Sequence, residues 1–380
     1  MRQILSYPVI ADDKMKSDKP KFKRIAVKVG SNVITLPDGS LNSWRMSRLV
    51  QEIATLTKQG IEVVLVTSGA VAAGRGDVPH SGKTNIIAEK QVLAAIGQVK
   101  LMANYQFLFG KYGMQAGQIL AAKESFRDRM HYLNMKNCIT AMIENNVLPI
   151  VNENDAISIN ELMFTDNDEL SGLISSLMDC QSLIILSNVD GIYTGEPGSE
   201  GSELITEIDE NTGDINQFIT ESKSGFGRGG MQTKYLTARR IASNGIDVFI
   251  ANGNRDSIIT DIVRGNNVPC THLVANTRKK TGVKKWLSHS ETFAKGAVII
   301  NKGAKEAILG EKASSLLMVG ITGVDGSFEN GDIVRILDEN GNNIGLGKAQ
   351  YDSEKTEQNM GQKVGRPFIH YHYLVISDEF

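Results

Sequence analysis

The stretch Ile150-Val151-Asn152-Glu153-Asn154-Asp155, followed after a short loop by Thr165-Asp166-Asn167-Asp168-Glu169-Leu170-Ser171, decides how this sequence folds. The apolar run from Val147 to Val151 predicts a buried strand that ends in the first polar cluster. The second cluster leads into a predicted helix whose apolar residues recur at helical spacing. These residues are Leu170, Leu173, Ile174, Leu177 and Met178.

The two polar clusters indicate a binding site at the end of the predicted strand. In α/β folds the carboxyl ends of the strands face the crevice in which ligands bind. A strand end, a hairpin over residues 157–164 and an aspartate N-cap would together explain one cluster. Two clusters within about twenty residues exceed what capping requires, so we favour a site.

The composition is that of a globular protein with two domains. The chain has 380 residues, of which 41% are hydrophobic and 22% are charged. A net charge of −2 gives no global attraction to nucleic acid or to anionic membranes. Cys138, Cys180 and Cys270 lie far apart and lack metal-ligand spacing, so we expect reduced thiols and a cytoplasmic protein. The sequence contains no run of eighteen apolar residues, so it predicts no membrane-spanning helix.

The pattern along the chain predicts a leader, a large α/β domain, a linker and a small β-rich domain. Residues 1–22 form a leader that we expect to be poorly ordered. Strands alternate with helices over residues 23–275, which predicts a three-layer sandwich with a mainly parallel sheet. A basic linker follows at residues 276–290. Short β-rich runs fill residues 291–375, the last from Tyr371 to Ile376, with turns predicted at residues 323–326 and 340–341.

Lys28 is a candidate phosphate ligand in the first predicted strand, residues 24–29. It lies just before Gly30, where free amides of a turn also suit a phosphate. A lysine inside an apolar strand is costly to bury without a partner. An edge-strand lysine whose ammonium group reaches solvent is the alternative interpretation.

A second anion-binding turn is predicted at Thr67-Ser68-Gly69-Ala70, directly after the next strand. Free amides and the positive end of a helix dipole attract anions at such a turn. The small residues also let a ligand approach the backbone closely.

The most glycine-dense loop, residues 224–234, leads into a predicted helix that carries Lys234 in its first turn. Its glycines fit the dinucleotide-binding pattern, but no strand precedes the loop, so we reject that interpretation. A flexible loop before a helix start suits a polyphosphate. A mobile glycine linker without a ligand is the alternative.

Six sequence motifs, in this order and spacing, resemble the amino-acid kinase family over nearly the whole chain. The motifs are Val27-Lys28-Val29-Gly30-Ser31, Val66-Thr67-Ser68-Gly69-Ala70, Pro149 through Asp155, Asp166-Asn167-Asp168, Gly191-Ile192-Tyr193-Thr194 and Gly229-Gly230-Met231-Gln232-Thr233-Lys234. The later domain is similar to the PUA domain, through Lys302-Gly303-Ala304-Lys305, Ser314-Ser315-Leu316-Leu317 and Gly320-Ile321. Three features depart from the family pattern: a longer leader, Ser187-Asn188 where Thr-Asp is common, and Arg228 in place of a frequent threonine.

This resemblance is closest to the family members that act on glutamate, and it implies a phosphotransferase with a carboxyl acceptor. The reaction would be ATP-dependent phosphorylation of the γ-carboxylate of L-glutamate to γ-glutamyl phosphate, the first step of proline biosynthesis. ATP and Mg²⁺ would be required, and L-proline would inhibit near the glutamate site, with the hairpin at residues 157–164 as the expected place of control. The resemblance also implies functional coupling to glutamate-5-semialdehyde dehydrogenase (γ-glutamyl phosphate reductase) and a homo-oligomer, either dimer or tetramer.

The resemblance also implies roles for individual residues. Lys28 and Lys234 would contact the transferring phosphates, and we hypothesise that Asp168 orients both lysines. The substrate-binding candidates are Ser68, Gly69, Ala70, Asp155 and Asn167. The ATP-binding candidates are Lys28, Gly30, Ser187, Asn188, Arg228, Gly229, Gly230, Met231, Gln232, Thr233 and Lys234. No side chain is assigned to the metal ion.

The chemistry of the acceptor agrees with these roles. A side-chain carboxylic acid has a pKa near ~4.3, so the γ-carboxylate is ionised at neutral pH and needs no general base. The difficulty is to bring one anion up to another, which requires positive charge and in-line positioning. Asp155 can then pair with the substrate ammonium group, and the amides at residues 68–70 suit the α-carboxylate.

Two rival functions remain open from the sequence. An acetylglutamate, aspartate or uridylate kinase is the nearest, but Asp155 with Asn167 favours a free ammonium group and the PUA-like domain is not expected there. An RNA-binding or RNA-modifying protein is the rival of another class, because PUA domains elsewhere bind RNA. Residues 288–380 carry nine Lys/Arg and thirteen Asp/Glu, a net charge of −4 that disfavours RNA binding unless a local basic patch exists.

Overall fold

The computed structural model describes residues 21–75, 85–127, 129–157, 167–210, 212, 215, 230–276, 294–310 and 314–376. The predicted leader, apart from its last two residues, and the predicted hairpin, apart from Ile157, lie outside the described residues. Within these ranges, no helix has the length and apolar character needed to cross a bilayer.

The larger part of the chain alternates strands and helices. Its strands are β1 (Arg24–Val29), β2 (Glu62–Thr67), β3 (Gln115–Ala121), β4 (Val147–Glu153), β5 (Ser182–Ser187), β6 (Ile192–Tyr193), β7 (Leu204–Ile205), β8 (Glu207–Ile208), β9 (Asp247–Asn252) and β10 (Cys270–Leu273). Its helices are α1 (Ser31–Ile34), α2 (Ser43–Lys58), α3 (Ala70–Gly74), α4 (Ile86–Gly110), α5 (Glu124–Arg127), α6 (Arg129–Glu144), α7 (Asn167–Leu177), α8 (Met231–Ser243) and α9 (Ile258–Arg264).

Eight of these strands form one sheet in the order β3-β4-β2-β1-β5-β9-β10-β8. All neighbours pair in parallel except β9 and β10, which are antiparallel. The mainly parallel sheet predicted from the sequence is therefore confirmed. At one edge of the sheet, β10 and the short β8 run antiparallel to the other six strands, which the sequence did not predict.

β1 lies at the centre of the sheet, between β2 and β5. Lys28 pairs in register with Val66 on one side and Ile185 on the other. The lysine is 4% exposed, so the edge-strand interpretation is wrong. The strand reads as a continuous apolar run because both faces of a parallel sheet are covered.

The core has two halves, one on each face of the sheet, which gives the three layers. Ala26 of β1 packs into one half together with apolar residues of α7 and α8. Ile25 and Val27 point to the opposite half, which contains residues of α2, α4 and α9. This alternation follows from the two-residue period of a strand. Each buried aliphatic side chain contributes roughly 1.5–3 kcal/mol.

The helices α3 and α4 touch through glycine. A Cβ placed on Gly97 would lie 1.8 Å from the carbonyl oxygen of Ala70, and a Cβ on Gly74 would lie 2.1 Å from that of Leu93. Such a close approach of two backbones requires residues without side chains. It brings the middle of α4 up to the turn that follows β2.

The C-terminal part forms its own sheet in the order β12-β11-β13-β14-β15. The strands are β11 (Gly296–Ile300), β12 (Ile321–Gly326), β13 (Ile333–Asp338), β14 (Asn343–Lys348) and β15 (Leu374–Ile376), and the helices are α10 (Lys302–Leu309) and α11 (Ser353–Asn359). These strands and helices enclose a separate apolar core, centred on Val298, Ile336 and Phe368. The β-rich character is confirmed, and the two helices were not predicted.

Three predicted details were wrong. The turn expected at residues 323–326 lies within β12, where it pairs with β11. The strand expected from Tyr371 begins at Leu374, because a hydrogen bond from Tyr373 N to His370 O closes a 3₁₀ turn first. β4 continues to Glu153 instead of ending at Val151, since its last two residues pair with Leu120 and Ala121 of β3.

We expect Gly97→Ala to lower the free energy of unfolding by roughly 1–3 kcal/mol, the usual cost of overpacking. The new methyl group would overlap a backbone oxygen, which cannot move without shifting α3. Chemical denaturation monitored by circular dichroism measures the change. Gly110→Ala, at the end of the same helix with open space around it, is the control and should be neutral or slightly stabilising. Equal stability of both variants would contradict the close helix contact.

Candidate active site

One buried carboxylate joins two lysines at the carboxyl ends of the central strands. Lys28 Nζ lies 2.5 Å from Asp168 Oδ1, and Lys234 Nζ lies 2.5 Å from Asp168 Oδ2. Lys28 comes from β1, Asp168 from the first turn of α7 and Lys234 from the first turn of α8. The structure thus brings together all three predicted catalytic residues.

The charges of this cluster are strongly coupled. Complete burial by itself would raise the pKa of Asp168, but the ammonium groups of Lys28 and Lys234 lower it. The net effect places the pKa well below the ordinary carboxyl range, so Asp168 is ionised at neutral and mildly acidic pH. With one negative and two positive groups, the cluster has a net positive charge that suits an anionic ligand.

The helix starts explain where these side chains lie. A carboxylate in the first turn of a helix is stabilised by the helix dipole, which suits Asp168. A lysine in the first turn of α8 is placed unfavourably with respect to the dipole. Lys234 therefore depends on an anionic partner, and Asp168 supplies it.

Carboxamides form a second group beside the ion cluster. Asn167 Nδ2 lies 2.9 Å from Thr67 O, 2.7 Å from Ser68 Oγ and 3.1 Å from Asn152 Oδ1. Asn152 Nδ2 in turn donates to Gln98 Oε1 at 2.8 Å. These amides run across the ends of β2 and β4 and bring together Ser68 and Asn167, two of the predicted substrate-binding residues.

The turn after β2 has the geometry of a tight strand-to-helix connection. Gly69 has φ = 99°, in the left-handed region that favours glycine, and Ala70 begins α3. Ser68 N donates to Val29 O at 3.1 Å, which ties the turn to β1. Beneath the turn, Thr67 Oγ1 and Tyr105 Oη are 2.9 Å apart, and burial raises the pKa of Tyr105 to about 12.

The remaining predicted residues lie around the same edge of the sheet. Asp155 is half-buried in the turn that follows β4. Gly30 follows β1 and donates from its backbone N to Leu186 O at 3.3 Å. Ser187 ends β5 and is followed by Asn188, with the hydroxyl of the first 3.3 Å from Oδ1 of the second.

Part of the predicted nucleotide loop is described and part is not. Gly230 is the N-cap of α8, and Met231, Gln232, Thr233 and Lys234 form its first turn. Thr233 Oγ1 donates to Gly230 O at 2.8 Å, which closes the helix start. Arg228 and Gly229 lie outside the described residues.

Sequence reasoning missed two features of this edge. Gln98 lies on α4, and no local pattern marks it among the apolar residues of that helix. Arg255 pairs with Asp190 through two bonds, Nε to Oδ1 at 2.6 Å and Nη2 to Oδ2 at 2.8 Å. The hydrogen bond from Arg255 lowers the pKa of Asp190. Both contacts join residues more than fifty positions apart, so no sequence motif records them.

Comparisons with known proteins agree with the fold. The amino acid kinase family matches residues 23–252, and the PUA domain matches residues 296–367. A glutamate 5-kinase of Bacteroides thetaiotaomicron is 52% identical over 94% of this chain and 100% of its own length. One from Chlorobaculum tepidum is 48% identical over 95% of this chain and 99% of its own, and one from Trichlorobacter lovleyi is 37% identical over 94% and 97%.

We expect Asp168→Asn to lower the free energy of unfolding by roughly 3 kcal/mol, because two partly buried lysines lose their shared partner. The folded-state pKa of Asp168 is depressed, so its contribution is fully present above the ordinary carboxyl pKa and is lost as the pH falls through the folded pKa. The difference from wild type should be constant from about pH 8 to pH 5 and should narrow below about pH 4. Chemical denaturation at a series of pH values measures it.

The matched control tests whether the loss comes from the shared carboxylate. In the double variant Asp168→Asn with Lys28→Met, one uncompensated ammonium group is removed, and part of the stability should return. A double variant whose loss equals the sum of the two single losses would show that the ion cluster is not coupled.

Proposed function

This chain belongs to the amino acid kinase family, and within it to the glutamate 5-kinases, and we propose on that basis that it phosphorylates L-glutamate. It is a kinase, and the proposed reaction transfers the γ-phosphoryl group of ATP to the γ-carboxylate of glutamate, giving γ-glutamyl phosphate. The observation that carries this proposal is the carboxylate that holds two lysines beside a row of carboxamides. A cationic end suits a polyphosphate, and an end with carboxamides and the carboxylate of Asp155 suits an amino acid.

The two lysines would neutralise the charge that the reaction brings together. Each ammonium group has three N–H donors, and one donor on Lys28 and one on Lys234 point to Asp168. Both ammonium groups lie at the carboxyl edge of the sheet, where the phosphates would lie. The acceptor carboxylate is already ionised at neutral pH, so positioning and charge neutralisation account for the chemistry and no general base is needed.

The amino-acid end of the substrate would lie along the carboxamides. Thr67 O is an acceptor, so the group that faces it on Asn167 is the NH₂ group, and Oδ1 points the other way as an acceptor. An acceptor on Asn167 together with the carboxylate of Asp155 suits the substrate ammonium group. The amides of Gly69 and Ala70 suit a carboxylate, as helix starts do. The amide of Ser68, which the sequence predicted for the same role, instead donates to Val29 O.

Mg²⁺ would accompany the nucleotide and add positive charge at its phosphates. Protein sites commonly hold Mg²⁺ through substrate phosphates and only one or two carboxylates. Within the described ranges no group of three or more His, Cys, Asp or Glu side chains could hold a metal ion. Phosphate oxygens are therefore the main ligands in this proposal, and no protein ligand is assigned.

The loop after β5 would hold the nucleotide, supported by the loop after β9. Gly253 N donates to Ser187 O at 2.7 Å, so the two loops are joined through backbone as well as through Arg255 and Asp190. The second loop is anchored to α2, because Arg45 Nη2 lies 2.5 Å from Arg255 O. Anchoring of this kind keeps Ser187 and its neighbours in place before the nucleotide binds.

The proposal also covers regulation and partners. We propose inhibition by L-proline near the glutamate site, a homo-oligomer, and functional coupling to glutamate-5-semialdehyde dehydrogenase, which would consume the reactive acyl phosphate. These three points rest on the likeness to glutamate 5-kinases. Three free thiols suit the proposed cytoplasmic setting.

A substrate panel tests the proposed reaction. ATP turnover is measured with Mg²⁺ and L-glutamate, L-aspartate, N-acetylglutamate, UMP or carbamate, with hydroxylamine present to trap an acyl phosphate. We expect a hydroxamate with L-glutamate alone, and we expect proline to suppress it. Turnover with another acceptor would overturn the assignment of Asp155 and Asn167, and proline-insensitive turnover would overturn the proposed inhibition only.

The contribution of the pair formed by Arg255 and Asp190 can be measured separately. We expect Arg255→Met to raise the KM for ATP by about 3- to 10-fold, a modest change because the guanidinium group is 45% exposed. The KM for glutamate should stay within about twofold, since Asp190 lies on the nucleotide side. Steady-state kinetics with each substrate varied in turn give both values.

Lys136→Met is the matched control for this pair. It removes another exposed ion pair, with Asp179 at 2.7 Å, at the opposite edge of the sheet. Its kinetics should equal those of the wild type. Equal KM values for ATP in the Arg255 and Lys136 variants would show that the pair does not position the nucleotide loop.

A further inference from the structure

Backbone groups fix the orientations of two carboxamides beside the ion cluster, Asn167 and Asn152. Asn167 must present its NH₂ group to Thr67 O, because a carbonyl oxygen only accepts. Asn152 must present Oδ1 to Glu153 N, at 2.9 Å, because a backbone N–H only donates. Its own Nδ2 therefore donates to Gln98 Oε1. These hydrogen bonds therefore determine which amide atom of Asn167, Asn152 and Gln98 is the oxygen and which is the nitrogen.

Gln98 is consequently left with a donor that its surroundings do not use. Its Oε1 is occupied by Asn152, and within the part of the chain that the structure describes no acceptor lies within hydrogen-bonding distance of Nε2. This nitrogen is also inaccessible to solvent. A buried N–H group without a partner is energetically costly, so such a group calls for a function. Turning the amide over would set two NH₂ groups against each other and does not remove the problem.

The glycine contact between α3 and α4 accounts for the position of Gln98. Gly97 lies directly against Ala70, the residue that begins α3. The next residue, Gln98, therefore reaches the ends of β2 and β4, where Asn152 receives it. β2 separates β4 from β1, which places Asn152, the hydrogen-bond partner of Gln98, about 10 Å from the strand of Lys28.

We propose that Gln98 is a specificity-determining residue that donates a hydrogen bond from Nε2 to the α-carboxylate of the amino-acid substrate. This inference rests on the proposed function and adds a residue to it. The γ-carboxylate has to lie at the lysines, so the opposite end of the substrate faces the carboxamides. Of the two groups at that end, the ammonium group is itself a donor, and the α-carboxylate alone accepts from an NH₂ group.

The decisive variant is Gln98→Glu, studied in the full-length chain. The introduced side chain keeps an oxygen that accepts from Asn152 Nδ2 and replaces only the unused NH₂ donor by a carboxylate oxygen. We expect the KM for L-glutamate to rise by more than about 100-fold, because two carboxylates would face each other. The KM for ATP should change by less than about twofold. Glutamate binding should recover partly as the pH is lowered, when the introduced carboxyl group becomes a donor.

Gln98→Met, which removes both hydrogen bonds, should raise the KM for L-glutamate by roughly 10- to 100-fold, the value of a bond to a charged group. Competitive inhibition separates the substrate groups. Glutarate retains both carboxylates, so its Ki should rise by a similar factor. The Ki of 4-aminobutyrate, which lacks the α-carboxylate, should be unchanged. An equal rise for both inhibitors would overturn the assignment to the α-carboxylate.

Controls separate this inference from folding and from the proposed function. Gln106→Met makes the same substitution at an exposed position of the same helix and should leave all kinetic constants unchanged. Thermal unfolding shows whether each variant is folded. Wild-type protein without glutamate turnover would refute the proposed function itself. Wild-type turnover together with an unaltered KM in folded Gln98→Glu would refute the role of Gln98 alone.

Discussion

The constraint on which the rest of this structure depends is the burial of Lys28 in the central strand of a parallel sheet. An ammonium group at that position is tolerated because Asp168 lies 2.5 Å away, and Asp168 is tolerated without solvent because it also pairs with Lys234. The three residues come from β1, α7 and α8, so the packing of two helices on one face of the sheet must place their first turns within ångströms of each other. The apolar residues of α7 and α8 that fill that half of the core thus also align the charges. In this part of the molecule, the packing that fills the core also determines where the charged side chains lie.

A second constraint acts at the other end of the site. There the backbones of α3 and α4 touch, and polar groups are positioned by carboxamides that carry no net charge. Uncharged amides hold their orientation without adding to the electrostatic potential, so the positive potential remains concentrated at the lysines. The site therefore has a cationic end and an end made of carboxamides beside the carboxylate of Asp155, joined along the carboxyl ends of β1, β2 and β4.

The sequence was sufficient to predict the parallel sheet and most of the residues at its carboxyl edge, because parallel strands read as apolar runs and their ends as abrupt polar clusters. The cluster with Asn167 and Asp168 stood out for that reason, Lys28 stood out as a charge inside an apolar strand, and Lys234 as the lysine that follows the glycine-dense loop. Gln98 and Arg255 did not, because each reaches the site through a contact between distant segments, and only the packing of helices and loops decides such contacts. The extension of β4 was missed since Asn152 and Glu153 look like a polar strand end, while the ladder with β3 continues through them. The helices of the C-terminal part were missed because they are short and lie among glycine-rich turns.

The adjacency of Asn167 and Asp168 links the two ends of the site covalently. Asn167 contacts Ser68 and Asp168 holds the lysines, so a single peptide unit fixes the separation between the carboxamides and the ion cluster. Successive helical residues differ by about 100° in direction, which turns the two side chains to opposite ends. The distance between the side chains of Asn167 and Asp168 at the start of α7 is therefore nearly constant, since a peptide unit does not stretch. Under the proposed function, a dicarboxylic amino acid one methylene shorter would not reach the carboxamides and the lysines at once, so this fixed separation would select substrates by length.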